Sequence, residues 1–248
     1  MNLHSKIFIL FTIVIFILYI IIPIKESYAS YTSKDVTLLV ISMMKGKRHI
    51  NNKHNIIYKQ VNKYPTFIFP GVIGNNITVN KQKEYINRHI VTKDYFTKWS
   101  KGKIGCALSH YYLLNYIQTH GEDDQLYIIL EDDAIIMENF SEIIDKIVRE
   151  KSNLPKDWAQ IILHNDRKIG YPNKYKDTKK SFVKKCTQCV GTVGYITTKR
   201  GAKQILDSIL PMKWPIDEDI RFYVDEQYCL ENPIIDFDLK LESHVKKH

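Results

Sequence analysis

The chain has 248 residues, of which 44% are hydrophobic and 25% are charged, and these proportions exclude a wholly disordered protein. A content of 10 Gly and 8 Pro without a fixed sequence period also excludes collagen-like and repeat architectures. Lys and Arg outnumber Asp and Glu by 36 to 27, which gives a net charge of +9. This excess suits a phosphate-bearing substrate or an anionic membrane surface, and it is not gathered into the single basic arm typical of many nucleic-acid-binding proteins. We therefore expect no nucleic-acid partner.

The first residues of the chain have the character of a membrane-targeting segment. Residues 7–22 are almost all apolar, and this run is longer than the apolar region of most signal peptides. Its length favours an uncleaved single-pass anchor over residues 1–30, while the small residue Ala29 leaves open a cleaved signal peptide and secretion. We expect residues 31–248 to form one domain, in a lumen or at a membrane face.

The rest of the chain alternates short apolar runs, typical of buried strands, with amphipathic runs, typical of helices. The pattern predicts, in chain order, a strand at 36–41, a helix in the polar stretch that follows, a strand at 66–69, a helix at 105–119, a strand at 126–130, a helix at 140–149, strands at 159–163 and 190–197, and a helix at 198–210. This alternation indicates an α/β domain around a mostly parallel central sheet.

Three consecutive acidic residues, Glu131, Asp132 and Asp133, follow directly on the predicted strand at 126–130. Ligands of open α/β sheets bind outside the carboxyl ends of the strands. Adjacent carboxylates at such a place repel one another unless a cation neutralises them. Oxygen ligands suit Mg²⁺ or Mn²⁺, which commonly bridge a carboxylate to substrate phosphates. The pattern favours a metal site, with a solvated acidic turn as the alternative.

Motifs for several other chemistries are absent. The sequence contains no GxxxxGK[ST], GxSxG or HExxH pattern, so it does not indicate a P-loop, a serine hydrolase or a zinc protease. The four cysteines are Cys106, Cys186, Cys189 and Cys229. Cys186 and Cys189 are close enough for a local disulfide in an oxidising lumen. Free thiols and a metal site remain alternatives for them.

Four sequence blocks are distinctive because they occur together and in one order. They are 40–48 (VISMMKGKR), 102–110 (GKIGCALSH), 127–134 (YIILEDDA) and 191–202 (GTVGYITTKRGA), the last followed by Pro215, Ile216 and Asp217. In combination they resemble glycosyltransferase family 25, which contains bacterial lipooligosaccharide galactosyltransferases and collagen hydroxylysine galactosyltransferases.

The resemblance implies a Rossmann-like fold of GT-A type and a definite reaction. A hexose, galactose or glucose, would pass from a UDP-sugar to a hydroxyl of a glycan, a lipooligosaccharide or a hydroxylysine-type protein. Glu131, Asp132 and Asp133 would hold Mn²⁺ or Mg²⁺, and Asp217 or Asp132 would act in catalysis, with Asp217 the candidate to take the acceptor proton. The candidate contacts to the donor are Arg48, Ser109, His110 (placed at a helix start), Glu131 and Gly191.

Two other classes of protein remain open on the sequence. A membrane-anchored relative of the same fold would bind sugar nucleotides or glycans without turnover, but the intact Glu131, Asp132 and Asp133 favour activity. A membrane-tethered nucleic-acid-binding protein would need a basic face with interleaved aromatic residues. Residues 171–185 have a little of that pattern, although such lysine runs are usually solvated surface.

Overall fold

A computed structural model of the chain describes residues 35–43, 63–165, 174–176 and 182–237. The predicted anchor at residues 1–30, the helix predicted after the first strand, and Arg48 lie outside these residues, so they stay predictions. Within the described ranges, no helix is both long enough and apolar enough to cross a membrane.

The described residues contain ten strands. They are β1 (Val36–Ser42), β2 (Thr66–Pro70), β3 (Leu126–Glu131), β4 (Ala134–Ile136), β5 (Gln160–Ile162), β6 (Lys174–Lys176), β7 (Val183–Gln188), β8 (Gly194–Thr197), β9 (Gln227–Leu230) and β10 (Ile235–Phe237). Eight of them form one sheet in the order β2-β1-β3-β8-β5-β9-β7-β6, and β4 pairs with β10 in a separate antiparallel ribbon.

The large sheet is mixed but mostly runs one way. β1 pairs in parallel with β2 and β3, and β5 pairs in parallel with β9. Among the eight described strands of this sheet, only β7 and β8 run opposite to the others, and β8 is antiparallel to both of its neighbours, β3 and β5. These pairings confirm the prediction of an α/β domain with a largely parallel sheet. The antiparallel strand at the centre was not predicted.

Six α-helices accompany the strands in the described ranges. They are α1 (Val79–Asn87), α2 (Tyr95–Lys98), α3 (Lys101–His120), α4 (Phe140–Arg149), α5 (Lys199–Ile209) and α6 (Ile216–Tyr223). The prediction for α4 is confirmed to the residue. Helix α3 begins earlier than predicted, because Ser100 caps it by accepting a hydrogen bond from the Lys103 amide at 3.4 Å. The placement of His110 at a helix start is therefore wrong, since it lies in the middle of α3.

The helices cover both faces of the sheet, which explains the continuous apolar sequence of β1. Leu39 and Ile41 face a core shared with α3, α5 and α6, whereas Leu38 and Val40 face a second core shared with α4. A strand that is buried on both faces has apolar side chains at nearly every position, so its sequence does not alternate between apolar and polar residues. Each fully buried aliphatic side chain contributes about 1.5–3 kcal/mol to folding. The interior of the sheet is therefore taken up by packing against the helices, and the ends of the strands are the places where functional side chains can lie.

A small third core lies beside β5, β7 and β9. Cys186 and Cys189 form a disulfide there, and the buried thiol of Cys229 packs against it together with Ile162. The sequence left a disulfide, free thiols and a metal site open for Cys186 and Cys189, and in the structure they form the disulfide.

Candidate functional site

The acidic residues lie where the ends of three strands meet. Glu131 is the last residue of β3 and is paired with Ile41 near the end of the parallel strand β1. Because β8 runs in the opposite direction, its first residue, Gly194, lies opposite Leu130 near the end of β3. The site is thus built from the carboxyl ends of β1 and β3 and from the segment that enters β8.

Glu131 is held by two side chains from other elements. The Nε2 atom of His110, a fully buried residue of α3, donates to Glu131 Oε1 at 3.2 Å, and the hydroxyl of Thr192 donates to the same oxygen at 2.5 Å. A His110 ring protonated on Nε2 then accepts at Nδ1 from the Tyr195 hydroxyl, which lies 3.0 Å away. Tyr195, His110, Glu131 and Thr192 form one connected hydrogen-bond network.

The electrostatics of this network keep Glu131 ionised. Burial acts to raise the pKa of Glu131, but the hydrogen bonds that it accepts from His110 and Thr192 lower it overall. Burial and the charge of Glu131 raise the pKa of Tyr195 well above its ordinary value, so the phenol keeps the proton that it donates to His110. The result is a carboxylate fixed at the end of β3.

Asp132 is bound on a different side. Its Oδ2 atom accepts hydrogen bonds from the Ser42 hydroxyl at 3.3 Å and from the Met43 amide at 3.2 Å, and the residue is buried. These contacts join the end of β1 to the turn after β3. Glu131 and Asp132 are therefore each engaged by a separate part of the protein.

The predicted metal ligands do not form a preassembled cluster. In the described part of the chain, two groups of three ligand atoms lie within 4.8 Å of one another: Cys106 with His110 and Glu131, and the three cysteines of the third core. The first group suits a cation poorly. Burial, with the charges of Glu131 and Asp217, raises the pKa of Cys106 well above its usual value, so the thiol keeps its proton.

A hard cation instead matches the donor atoms of Asp132 and Asp133. Mg²⁺ and Mn²⁺ are usually held by one or two carboxylates together with substrate phosphates, and not by a complete protein cage. Asp132 has a fixed position through Ser42 and Met43, and Asp133 follows it on the turn between β3 and β4. The residues present thus fit such an ion without a preformed set of three.

Asp217 belongs to the same electrostatic environment. It lies in the first turn of α6, and its pKa is raised by burial, by the charge of Glu218 and by the charge of Glu131. A carboxyl group whose pKa is shifted toward neutrality is better suited to accept a proton. Its neighbour Asp219 has another role, since its Oδ2 accepts from the Lys213 and Trp214 amides at 2.9 and 3.0 Å.

Ser109 makes contacts within the protein. Its hydroxyl accepts from the Val72 amide and donates to the Gly105 carbonyl, both at 2.7 Å. A Cβ on Gly105 would lie 2.5 Å from the Val72 carbonyl oxygen. Ser109 and Gly105 therefore hold α3 tightly against the loop after β2, which explains much of the block at 102–110.

Gly191 has a backbone φ of 92°, in the left-handed region that favours glycine, and it directly precedes Thr192. It allows the turn that presents Thr192 to Glu131. Thr192, Tyr195 and Ser42 were not singled out from the sequence, although all three lie in blocks that carry the family resemblance.

Comparison with known proteins covers this whole site. Residues 36–220 match the family described as "Glycosyltransferase family 25 (LPS biosynthesis protein)". A curated relative, procollagen galactosyltransferase 1 of Danio rerio, is 30% identical over 122 residues. The alignment covers 48% of this chain and 20% of the relative, so the chain matches about a fifth of the length of that protein.

Proposed function

Because the chain belongs to glycosyltransferase family 25, we propose that it transfers a hexose from a UDP-sugar to an acceptor hydroxyl. The name of the Danio rerio relative supports galactose as the sugar. The proposed acceptors are a glycan, a lipooligosaccharide or a hydroxylysine-bearing protein, and the proposed fold type is GT-A. The observation that carries the proposal is a pair of fixed carboxylates at the end of β3, the partly buried Glu131 held by His110 and the buried Asp132 held by the end of β1. The charge of Glu131 also acts on Asp217 of α6.

The proposed cofactor is Mn²⁺ or Mg²⁺, held by Asp132 and Asp133, with Glu131 beside them. When bound, such an ion stabilises the negative charge that develops on a departing diphosphate. His110 and Thr192 support this role by keeping Glu131 ionised and in place.

Asp217 is the proposed general base. The acceptor hydroxyl must lose a proton as its oxygen bonds to the anomeric carbon, and a raised pKa makes the Asp217 carboxylate a better acceptor of that proton. Asp132 is the weaker candidate for this role, because Ser42 and Met43 already engage its Oδ2 atom.

The proposal is tested by UDP release from UDP-galactose and UDP-glucose, using the full chain with Mn²⁺ or with EDTA. We expect metal-dependent release that Asp133→Asn lowers by about a hundredfold or more. Asp124→Asn is the matched control, because Asp124 is an exposed acid in a run that does not follow a strand. Its activity should equal that of the wild type.

Two results would overturn the proposal. A folded protein that binds no UDP-sugar would exclude a donor site. Tight UDP-sugar binding without release, with hydroxyl acceptors of every proposed class, would identify a binding protein in place of a transferase.

A further inference from the structure

His164 is a buried histidine just beyond the carboxyl end of β5, and it is 1% exposed. Its ring lies between two backbone carbonyl oxygens. Nδ1 is 3.1 Å from the Gly194 oxygen, and Nε2 is 3.0 Å from the Val190 oxygen. Val190 and Gly194 are the two ends of the segment 190–194, which we call the entry turn because it leads into β8. One imidazole ring thus spans both ends of the entry turn.

The backbone that carries this ring is itself held on two sides. The Leu163 amide donates to the Gly194 carbonyl at 3.0 Å. The Leu163 carbonyl accepts from the Ile234 and Ile235 amides at 2.9 and 3.1 Å. His164 follows directly on Leu163, so its side chain starts from a fixed point. A buried polar ring is costly for the fold unless its nitrogens have partners, and here both have one.

The protonation of the ring decides how many of these hydrogen bonds form. A neutral imidazole carries one N–H, on either nitrogen, whereas a doubly protonated ring carries two. Carbonyl oxygens only accept hydrogen bonds, so His164 bonds one end of the entry turn when neutral and both ends when doubly protonated. In each state, His164 holds the entry turn to the end of β5.

The entry turn makes two contacts to the candidate site. The Thr192 hydroxyl donates to Glu131 Oε1 at 2.5 Å, and the Val193 carbonyl accepts from the Glu131 amide at 2.9 Å. Gly191, with a φ of 92°, allows the backbone to turn directly before Thr192. The place of the Thr192 hydroxyl therefore depends on where the ends of the turn lie, and His164 is bonded to those ends.

We propose that His164 is a positioning residue of the candidate site, which holds the entry turn so that the Thr192 hydroxyl meets Glu131. It acts through Thr192, whereas His110 bonds Glu131 directly. The expected effect on the rate rests on the proposed glycosyl transfer. The expected effect on the turn rests on the hydrogen bonds alone.

Hydrogen exchange tests the effect on the turn without any need for turnover. The full chain and its His164→Leu variant are compared by mass spectrometry of the peptides that cover residues 189–196. We expect exchange in these peptides to be about tenfold faster in His164→Leu, because the lost hydrogen bonds make local opening easier. His120→Leu is the matched control. His120 is an exposed histidine in the last turn of α3, and its replacement should leave this exchange unchanged.

A double-mutant cycle tests whether His164 acts through Thr192. His164→Leu and Thr192→Val are made singly and together, and UDP release from UDP-galactose gives kcat/KM for each. We expect each single variant to lower kcat/KM by about tenfold, and the double variant to lose no more than about twofold beyond Thr192→Val. Two independent structural effects would multiply instead, to a loss of about a hundredfold.

His164→Gln is the conservative variant. Its side chain keeps an N–H donor, so both the exchange rate and kcat/KM should fall between those of the wild type and those of His164→Leu. Should His164→Leu not fold, His164→Gln carries the same test, with exchange of residues 189–196 faster than in the wild type.

Three outcomes would overturn the proposal. They are unchanged exchange of the entry turn in the His164 variants, an equal change in His120→Leu, and losses that multiply in the double-mutant cycle. Faster exchange in His164→Leu, in a protein that releases no UDP, would contradict the proposed transfer and support the hold of His164 on the turn. UDP release by the wild type, with unchanged exchange in His164→Leu, would contradict the positioning role alone.

Discussion

The residue with the clearest chemical consequence is Asp217. Its pKa is raised by burial, by Glu218 and by Glu131. A general base must be ionised to act, so activity should fall as the pH drops through this pKa. The acid limb of the profile of kcat/KM should therefore lie at a higher pH than for a solvent-exposed aspartate.

Replacement of Asp217 by Asn removes the group that accepts the proton. We expect Asp217→Asn to lower the rate of transfer by about 10²–10⁴-fold, while UDP-sugar binding measured by calorimetry is retained. Asp225→Asn, in the exposed segment after α6, is the control and should keep the acid limb of the profile. Full activity of Asp217→Asn would exclude Asp217 as the base.

Asp219 should make folding stability depend on pH. Burial raises its pKa from 3.8 to about 6, against the opposing hydrogen bonds from Trp214 and Lys213. The folded state therefore binds the proton more tightly than the unfolded state, so this carboxyl stabilises the fold at low pH. Its contribution is lost as the pH rises from about 4 to about 6.

The Asp219→Asn variant lacks this titration. The difference in unfolding free energy between wild type and Asp219→Asn should shift by about 2 kcal/mol against the wild type between pH 4 and pH 7. Urea denaturation at several pH values measures it, with Asp225→Asn as a control that shows no such shift. A difference that is constant with pH would refute the buried titration.

At the scale of elements, the start of α5 packs against the backbone of the sheet. A Cβ on Gly201 would lie 2.3 Å from the Ala159 carbonyl oxygen and 2.6 Å from the Thr197 hydroxyl. That hydroxyl already donates to the Ala159 carbonyl at 2.7 Å. Helix α5 can approach β5 and β8 this closely because position 201 has no side chain.

Gly201→Ala should therefore lower the unfolding free energy by about 1–3 kcal/mol, because the added methyl overpacks the contact. This loss is expected even though alanine is favoured over glycine in a helix by about 1 kcal/mol. Ser208→Ala, at an exposed position of the same helix, should change stability by less than about 0.5 kcal/mol in the same denaturation experiment. An unchanged or higher unfolding free energy for Gly201→Ala would contradict this prediction, because it would mean that α5 moves away from Ala159 and Thr197 at no cost.

For the molecule as a whole, local patterns in the sequence predict the elements better than their arrangement. β1, β3 and α4 were found because burial on two faces, or on one helical stripe, leaves a direct trace in the sequence. The eight-residue α6 was missed, since its first turn carries Asp217, Glu218 and Asp219 and resembles an acidic loop. The direction of β8 depends on pairing with β3, a strand far away in the sequence.

The same limit applies to the site. The position of Glu131, Asp132 and Asp133 at the end of a strand follows from the sequence alone. The sequence does not predict that Glu131 and Asp132 are bound by different partners, because His110, Thr192 and Ser42 come from three other segments of the chain. Residues so far apart in the sequence become partners only when the chain folds, so no local sequence motif predicts the contact between them.

The central place of β8 has a consequence for the synthesis of the chain. Ribosomes release the amino-terminal strands first, so the edge of β3 that pairs with β8 stays open until residues 194–197 have been translated. β3 is apolar on both faces, and an open apolar edge invites pairing with other nascent chains. Any shorter translation product that stops before β8 thus carries an uncovered edge of β3, and this edge is paired only once residues 194–197 have been made.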